Sequence, residues 1–232
     1  CSSDLGHFLK AEANASAPSY PVPPRTAVLG MIGAILGLSK DEPQVELADC
    51  RIAIGGRADR RHWHSANLRK KLPAPLPEVV TRKSPGSNAE PKNTIIKQEW
   101  LMNPCFKVIA SLPEPWQDDL VYRLQEKRWH FCPCMGLSEM IADLAFVEVQ
   151  KAAQLPVGCH QVSTVFRREE GAPDLQVASA AGLSIQSLRL PRDVGVDRSF
   201  THDAYLREIN CKPVPVESGN VWRVGARNVM WL

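Results

Sequence analysis

At 232 residues and 44% hydrophobic content, the chain is long enough to bury a sizeable core and too apolar to be disordered. A net charge of +3 rules out a uniformly basic surface, so any polyanion contact must be local. The longest apolar run, Ala27–Leu38, is too short to span a bilayer, and no secretory signal pattern is present. Seven cysteines, an odd number with no Cys-x-x-Cys set, read as reduced thiols of a cytoplasmic protein rather than a disulfide framework.

The chain opens at Cys1 on a polar, Ala- and Ser-rich run that reads as loop to residue 18. An opening strand is expected to be trimmed or to lie just before Cys1. The next segment, Ser19 to Pro24, cannot be helical, because its three prolines hold it extended. A helix is predicted from Arg25 to Leu38, with Val28, Leu29, Ile32, Ile35 and Leu36 at helical spacing. Gly30, Gly33 and Gly37 lower its propensity and are tolerable where another element, such as a sheet, comes close. The proline-stiffened lead-in delivers Tyr20, Arg25 and Thr26 to a helix N-terminus, which suits an anion. An equally weighted reading makes the set structural: Tyr20 packs, Arg25 pairs with a carboxylate, and Thr26 caps the helix.

Ser39–Pro43 reads as a turn and Val45–Gly56 as a strand. Arg57–Lys92, with prolines at 73, 75, 77, 85 and 91, is a long polar excursion of the kind that carries function. Within it and the end of the preceding strand, residues 51–71 hold seven Arg or Lys against one Asp, five of the seven being Arg. Arg forks onto phosphate bidentately, so a local basic patch of this composition favours nucleic acid over a merely solvated loop. Its candidates are Arg51, Arg57, Arg60, Arg61, His62, Trp63, His64, Asn67, Arg69 and Lys70, with Lys71 beside them. Trp63 can stack a base while its cationic neighbours hold phosphates; the alternative is that it packs on protein.

Strand character returns over Asn93–Leu112. A helix is predicted over Pro113–Arg128, started by a Ser111/Glu114 capping box, with acids leading and bases following along the dipole. In the loop Met135–Glu139, Gly136 permits close backbone approach and Ser138 offers a hydroxyl. Met140–Val149 reads as a strand. His130, Cys132 and Cys134 tempt a metal reading, but Cys-x-Cys is poor zinc spacing and no second ligand pair answers it, so no metal is expected and the cysteines read as small core hydrophobes. Beyond residue 151 the chain is strand-like and proline-punctuated, over HQVSTVFRRE, LSIQSLRLP and KPVPVESGNVWRV, with no long amphipathic helix.

Three stretches carry a resemblance. Ser19–Leu38, reading SYPVPPRTAVLGMIGAILGL, resembles the N-terminal signature of the CRISPR-associated protein 5 family, RAMP-superfamily subunits of the type I surveillance complex called Cascade. Met135–Leu144, MGLSEMIADL, is similar to that family's Gly-x-Ser-Glu pattern, and Leu101–Ile109, LMNPCFKVI, to its Leu-x-Asn-Pro run. The resemblance covers residues 4–150 well and the rest loosely. It implies an α+β fold: a ferredoxin-like (RRM/RAMP) domain over 1–150, a basic hairpin inserted at about 50–97, and a mostly β lobe over 151–232. The predicted order of strands and helices agrees with that plan. It also implies that the excursion lies as a thumb against the RNA 5′ handle, that Asn67 stands where the family often has a polar residue, and that His7 and Lys10 stand where it carries basic ones.

The resulting expectation is a non-catalytic, cytoplasmic RNA-binding subunit without cofactor. It caps the 5′ handle of the CRISPR guide RNA and bridges the Cascade backbone subunit to the large subunit. Target DNA is met only through the complex, by guide pairing, and no membrane is involved. Two alternatives stay open. One is a metal-independent endoribonuclease, for which His62 and His64 beside lysines supply an acid and a base. The other is a protein–protein scaffold without RNA contact.

Overall fold

The computed structural model describes residues 1–10, 16–69, 93–195 and 197–232. The N-terminal half begins with two short strands, β1 (Leu5–Gly6) and β2 (Ser16–Ala17), followed by helices α1 (Arg25–Leu36) and α2 (Glu42–Glu46). Strands β3 (Arg51–Arg57), β4 (Arg60–Arg69), β5 (Asn93–Met102) and β6 (Cys105–Ser111) and helix α3 (Trp116–Glu126) complete it. The C-terminal half is β7 (Ala152–Gln154), β8 (Gly158–Val162), β9 (Phe166–Arg167), β10 (Ala172–Pro173), α4 (Leu175–Ala180), β11 (Ile185–Val194), β12 (Phe200–Glu208), β13 (Val214–Ser218), β14 (Trp222–Val224) and β15 (Arg227–Val229). The fold is mixed α/β and mostly strand. No described helix is long and apolar enough to cross a membrane.

Two pairings matter most for function. β5 is central in one sheet: β4 runs antiparallel along one edge, while β1 (antiparallel) and β2 (parallel) share the other. β3 pairs antiparallel with β6 from Arg51↔Ser111 to Arg57↔Cys105. The C-terminal half reaches back onto β3, where Val165 N donates to Ile54 O and Leu232 N to Ile52 O, both at 2.8 Å. One apolar core joins α1 (Val28, Leu29, Ile32), β3 (Ile52, Ile54) and Phe106 of β6 to Val165, Leu190, Tyr205 and Leu232. A smaller core gathers Val162, Phe166, Val214, Val216, Val221 and Met230.

Several expectations are corrected. Helix α1 starts at Arg25 as predicted and closes at Gly37. Close approach there comes from a short helix, not a sheet: a Cβ on Gly33 would stand 2.2 Å from the Pro43 ring of α2, while one on Gly30 would meet nothing within 4 Å. The strand predicted from Val45 is shorter, because Pro43 is pre-set for a first helical turn and Glu42–Glu46 coils. The excursion expected from Arg57 is a strand, β4, as far as Arg69. The Ser111/Glu114 capping box does not form; Pro115 is the N-cap, without a side-chain cap bond, and Leu112 N donates to Gln117 Oε1 at 2.9 Å instead. Met140–Val149 makes only isolated bridges, Cys134↔Ile141 and Ser2↔Asp143, and Val147 and Val149 lie exposed. Beyond residue 151 the predicted strands are present, though subdivided, and β7, β10, β12 and β15 join them.

Candidate nucleic-acid interface

The β4–β5 hairpin sorts the basic candidates by parity. Its register runs without a break from Arg60↔Met102 to Arg69↔Asn93. Because successive side chains in a strand alternate between faces, Arg61, Trp63, Ser65 and Asn67 share one face with Ile95 and Lys97. All six are exposed, Trp63 by 50%. Trp63, Ser65 and Lys97 line an open groove with Ser16 of β2. Arg61 keeps an anchor at the base of this face, Nη1 lying 3.3 Å from Oε1 of the buried Glu99, whose other oxygen accepts the Ser19 N–H at 2.9 Å. The network continues to His7, whose ring Nδ1 lies 2.9 Å from Glu99 O.

The opposite face carries Arg60, His62 and His64. His64 is committed to protein, its ring stacked on Trp100 at 4.0 Å between centroids. Arg60 and His62 are exposed and hold no hydrogen bond or ion pair among the described residues. Arg57, at the end of β3 where the hairpin begins, donates from Nη1 to Asn210 Oδ1 at 3.1 Å and is exposed. Arg69 ends β4; Lys70 and Lys71 lie outside the described residues.

Other candidates do not join this patch. Arg51 stands at the far end of β3, six residues or about 20 Å from Arg57 along an extended strand, and lies 5.0 Å over the Trp222 ring. Arg25 points inward: Nη1 donates to Asp193 Oδ1 at 2.7 Å, and Nη2 to Ala48 O at 2.6 Å and Cys50 O at 3.1 Å. Tyr20 is buried, its N–H donating to Phe8 O at 2.7 Å, with Lys10 Nζ 5.9 Å over its ring. Thr26 caps nothing, since the N-cap is Pro24; its carbonyl accepts from Gln44 Nε2 at 3.2 Å. Gly136 holds φ at +99, and a Cβ there would sit 1.7 Å from His7 O, so its glycine serves the crossing of two chain segments. Ser138 Oγ lies 3.2 Å from Glu139 Oε2 at the surface.

The cysteines also differ from expectation. Cys132 is exposed rather than core, and Cys134 Sγ contacts the carbonyls of Cys132 and Ser138 at 3.4 and 3.5 Å. Among the described residues, no three His, Cys, Asp or Glu side chains are grouped to hold a metal ion.

Two cations near the hairpin were not among the sequence candidates, Lys97 on its exposed face and the buried Arg207. Arg207 on β12 lies 6% exposed, and burial lowers its pKa from the ordinary arginine value; Cys211 and Glu208 oppose the shift, while the positive charges of Arg61 and Arg57 reinforce it. The available signal was parity: Arg207 stands two residues from Tyr205, hence on the same, inward face of a strand.

Comparison with known proteins identifies a family and a shared fold. The family described as CRISPR-associated protein (Cas_Cas5) matches residues 3–216. Among solved structures, a chain of a CRISPR RNA-guided surveillance complex shares the fold at a TM-score of 0.54 and 16% identity, over 92% of this chain and 88% of that one. No curated protein matches.

Proposed function

The chain belongs to the CRISPR-associated Cas5 family, and from that premise we propose that it is a non-catalytic RNA-binding subunit of a type I Cascade. In this reading it caps the 5′ handle of the guide RNA. It also bridges the terminal backbone subunit to the large subunit, in the cytoplasm. One observation carries the RNA contact: the β4–β5 hairpin presents Arg61, Trp63, Asn67 and Lys97 on one exposed face, above a groove, with Arg57 and Arg60 at its foot. Cations along such a face neutralise handle phosphates and release counterions. Trp63 stacks an unpaired base, worth roughly 1–3 kcal/mol. Asn67 and Ser65 offer hydrogen bonds to base edges or 2′-hydroxyls, the group that separates RNA from DNA.

The scaffold in this proposal is a ferredoxin-like unit over 1–150 carrying the hairpin, followed by a β-rich lobe over 151–232. The antiparallel pairing of β3 with β6, which share one apolar core with α1 and Leu120 of α3, supports that plan. The lobe stiffens β3 through the backbone bonds to Ile52 and Ile54, which fixes the foot of the hairpin. Binding rather than catalysis fits the histidines, since His64 is stacked on Trp100.

The test is incubation of the purified chain with labelled CRISPR repeat RNA in EDTA, run on native and denaturing gels beside Arg60/Arg61→Ala. Intact RNA, shifted by the chain and released by the double substitution and by salt, is expected. Cleavage just upstream of the handle overturns the non-catalytic reading and turns attention to His62 and His64. Absence of a shift at low salt leaves the protein–protein scaffold.

A further inference from the structure

At the foot of the hairpin, Gly55 and Gly56 of β3 face residues 162–165 and the end of β12 across a narrow crevice. Arg207, Glu208, Cys211 and Lys212 also line it. It holds about 10 Å³, room for one oxygen-sized atom.

Arg207 is the unusual group there. Its Nη1 reaches Pro21 O at a long 3.5 Å and its Nη2 reaches Ile209 O at 3.2 Å, while Nε is buried with no partner among the described residues. No carboxylate pairs with it among the described residues. The adjacent Glu208 is turned to other work: its carboxylate accepts the N–H groups of Ser184, Asn210 and Lys212 at 3.2, 2.7 and 2.9 Å. Arg61 is tied to Glu99 and Arg57 only to a neutral amide. A buried guanidinium with an open donor and no carboxylate partner is costly, and an oxyanion supplied from outside offsets that cost.

We propose that this crevice is a phosphate subsite, in which Arg207 and the exposed Lys212 hold one non-bridging oxygen of an RNA phosphodiester. The inference rests on the RNA-binding reading and extends the contact from the hairpin onto the C-terminal half. The bound RNA then leaves the hairpin face at its foot. Gly55 and Gly56 serve the fold there rather than the ligand, since a Cβ on Gly55 would stand 2.9 Å from Ser163 O and one on Gly56 2.3 Å from Cys105 O.

Cys211 is exposed at the same crevice, and Cys132 is exposed in the loop after α3, so alkylation reads the site without any substitution. Saturating repeat RNA is expected to slow iodoacetamide labelling of Cys211 severalfold and to leave Cys132 unchanged. Arg207→Gln is expected to weaken repeat RNA about tenfold and to reduce the salt dependence by about one phosphate. Should Arg207→Gln fold poorly, Lys212→Ala at the surface and RNAs carrying one uncharged methylphosphonate linkage at a time test the same contact. One linkage is expected to matter in the native chain and to lose its effect in Lys212→Ala. If RNA binds with unchanged affinity and salt slope to Arg207→Gln, or leaves Cys211 labelling at its free rate, the subsite is wrong while the hairpin reading stands. If the native chain binds no repeat RNA, both fall.

Discussion

Two buried arginines, Arg25 at the start of α1 and Arg207 at the foot of the hairpin, are almost equally hidden, at 7% and 6% exposure. They have opposite surroundings. Arg25 is saturated: a carboxylate and two carbonyls accept its fork within 3.1 Å. It joins α1, the turn before β3 and β11 into one piece. Arg207 has one ordinary and one long contact to carbonyls, no carboxylate, and an Nε without a partner among the described residues. Burial by itself therefore does not tell the two arginines apart. The acceptors within reach do, and on the proposal above they separate a structural cation from a binding one.

Substitution breaks this comparison most visibly at Arg25. Arg25→Ala removes charge-assisted bonds and leaves the carbonyls of Ala48 and Cys50 without their donor. The expected loss is about 3 kcal/mol of unfolding free energy, read from urea titration. Arg25→Lys is expected to recover little, because a single ammonium cannot reach three oxygens placed for a planar fork. Neither variant should alter the salt slope of RNA binding. The hairpin face behaves in the reverse way. Trp63→Ala is expected to cost roughly 1–3 kcal/mol of RNA affinity. Its unfolding free energy should move by less than about 0.5 kcal/mol, as for other exposed positions. A large stability loss at Trp63, or an RNA-specific defect at Arg25, would reverse the assignment of the two regions.

How much of this was readable beforehand depends on where each signal lives. Helix α1 was legible because prolines, apolar spacing and a closing glycine all act locally. The basic patch was legible as composition, but its organisation was not. RRHWHSAN alternates too weakly to announce a strand, and β4 owes its strand form to pairing with β5, whose NTIIKQEW carries the β-branched and aromatic residues. The reverse happened at 140–149. Its alternation is good, yet no long edge lies beside it, and Val147 and Val149 stay in solvent. For Arg25 the sequence left an anion site and a carboxylate pair equally weighted, because the acceptor that decides, Asp193, lies far along the chain, and Arg207 likewise meets Pro21 O from 186 residues away.

Glu208 offers a smaller, pH-dependent test of why Arg207 lacks a carboxylate. Burial works to raise its pKa, but the N–H groups of Lys212, Ser184 and Asn210 outweigh burial and hold it below the ordinary glutamate value. A lowered folded pKa contributes stability that is complete above the unfolded value, about 4.3, and disappears as pH falls through the folded one. Glu208→Gln is therefore expected to be less stable than the native chain by about 1 kcal/mol at neutral pH. The gap should stay level down to about pH 5 and close below about pH 4. A gap that persisted into acid would mean that the carboxylate charge is not what those donors hold.

The finest discrimination comes from two thiols, one beside each arginine. Cys50 is buried next to Arg25; burial pushes its pKa up to about 11, and the Arg25 charge only partly opposes this. At pH 8 it has almost no thiolate, and thiolate is the reacting species. Cys211, beside Arg207, is exposed. In a titration with a chromogenic disulfide at pH 8, Cys211 should react in the native chain, with the other exposed thiols Cys105, Cys132 and Cys159, while Cys50 waits for denaturant. Arg25→Ala sharpens the result. If Arg25 is a strut, its loss opens the turn before β3 and Cys50 begins to react under native conditions, although the charge removed was the one favouring its thiolate. If Cys50 stayed silent in that variant, Arg25 would be dispensable to the packing around it, and the contrast between the two arginines would lose its structural half.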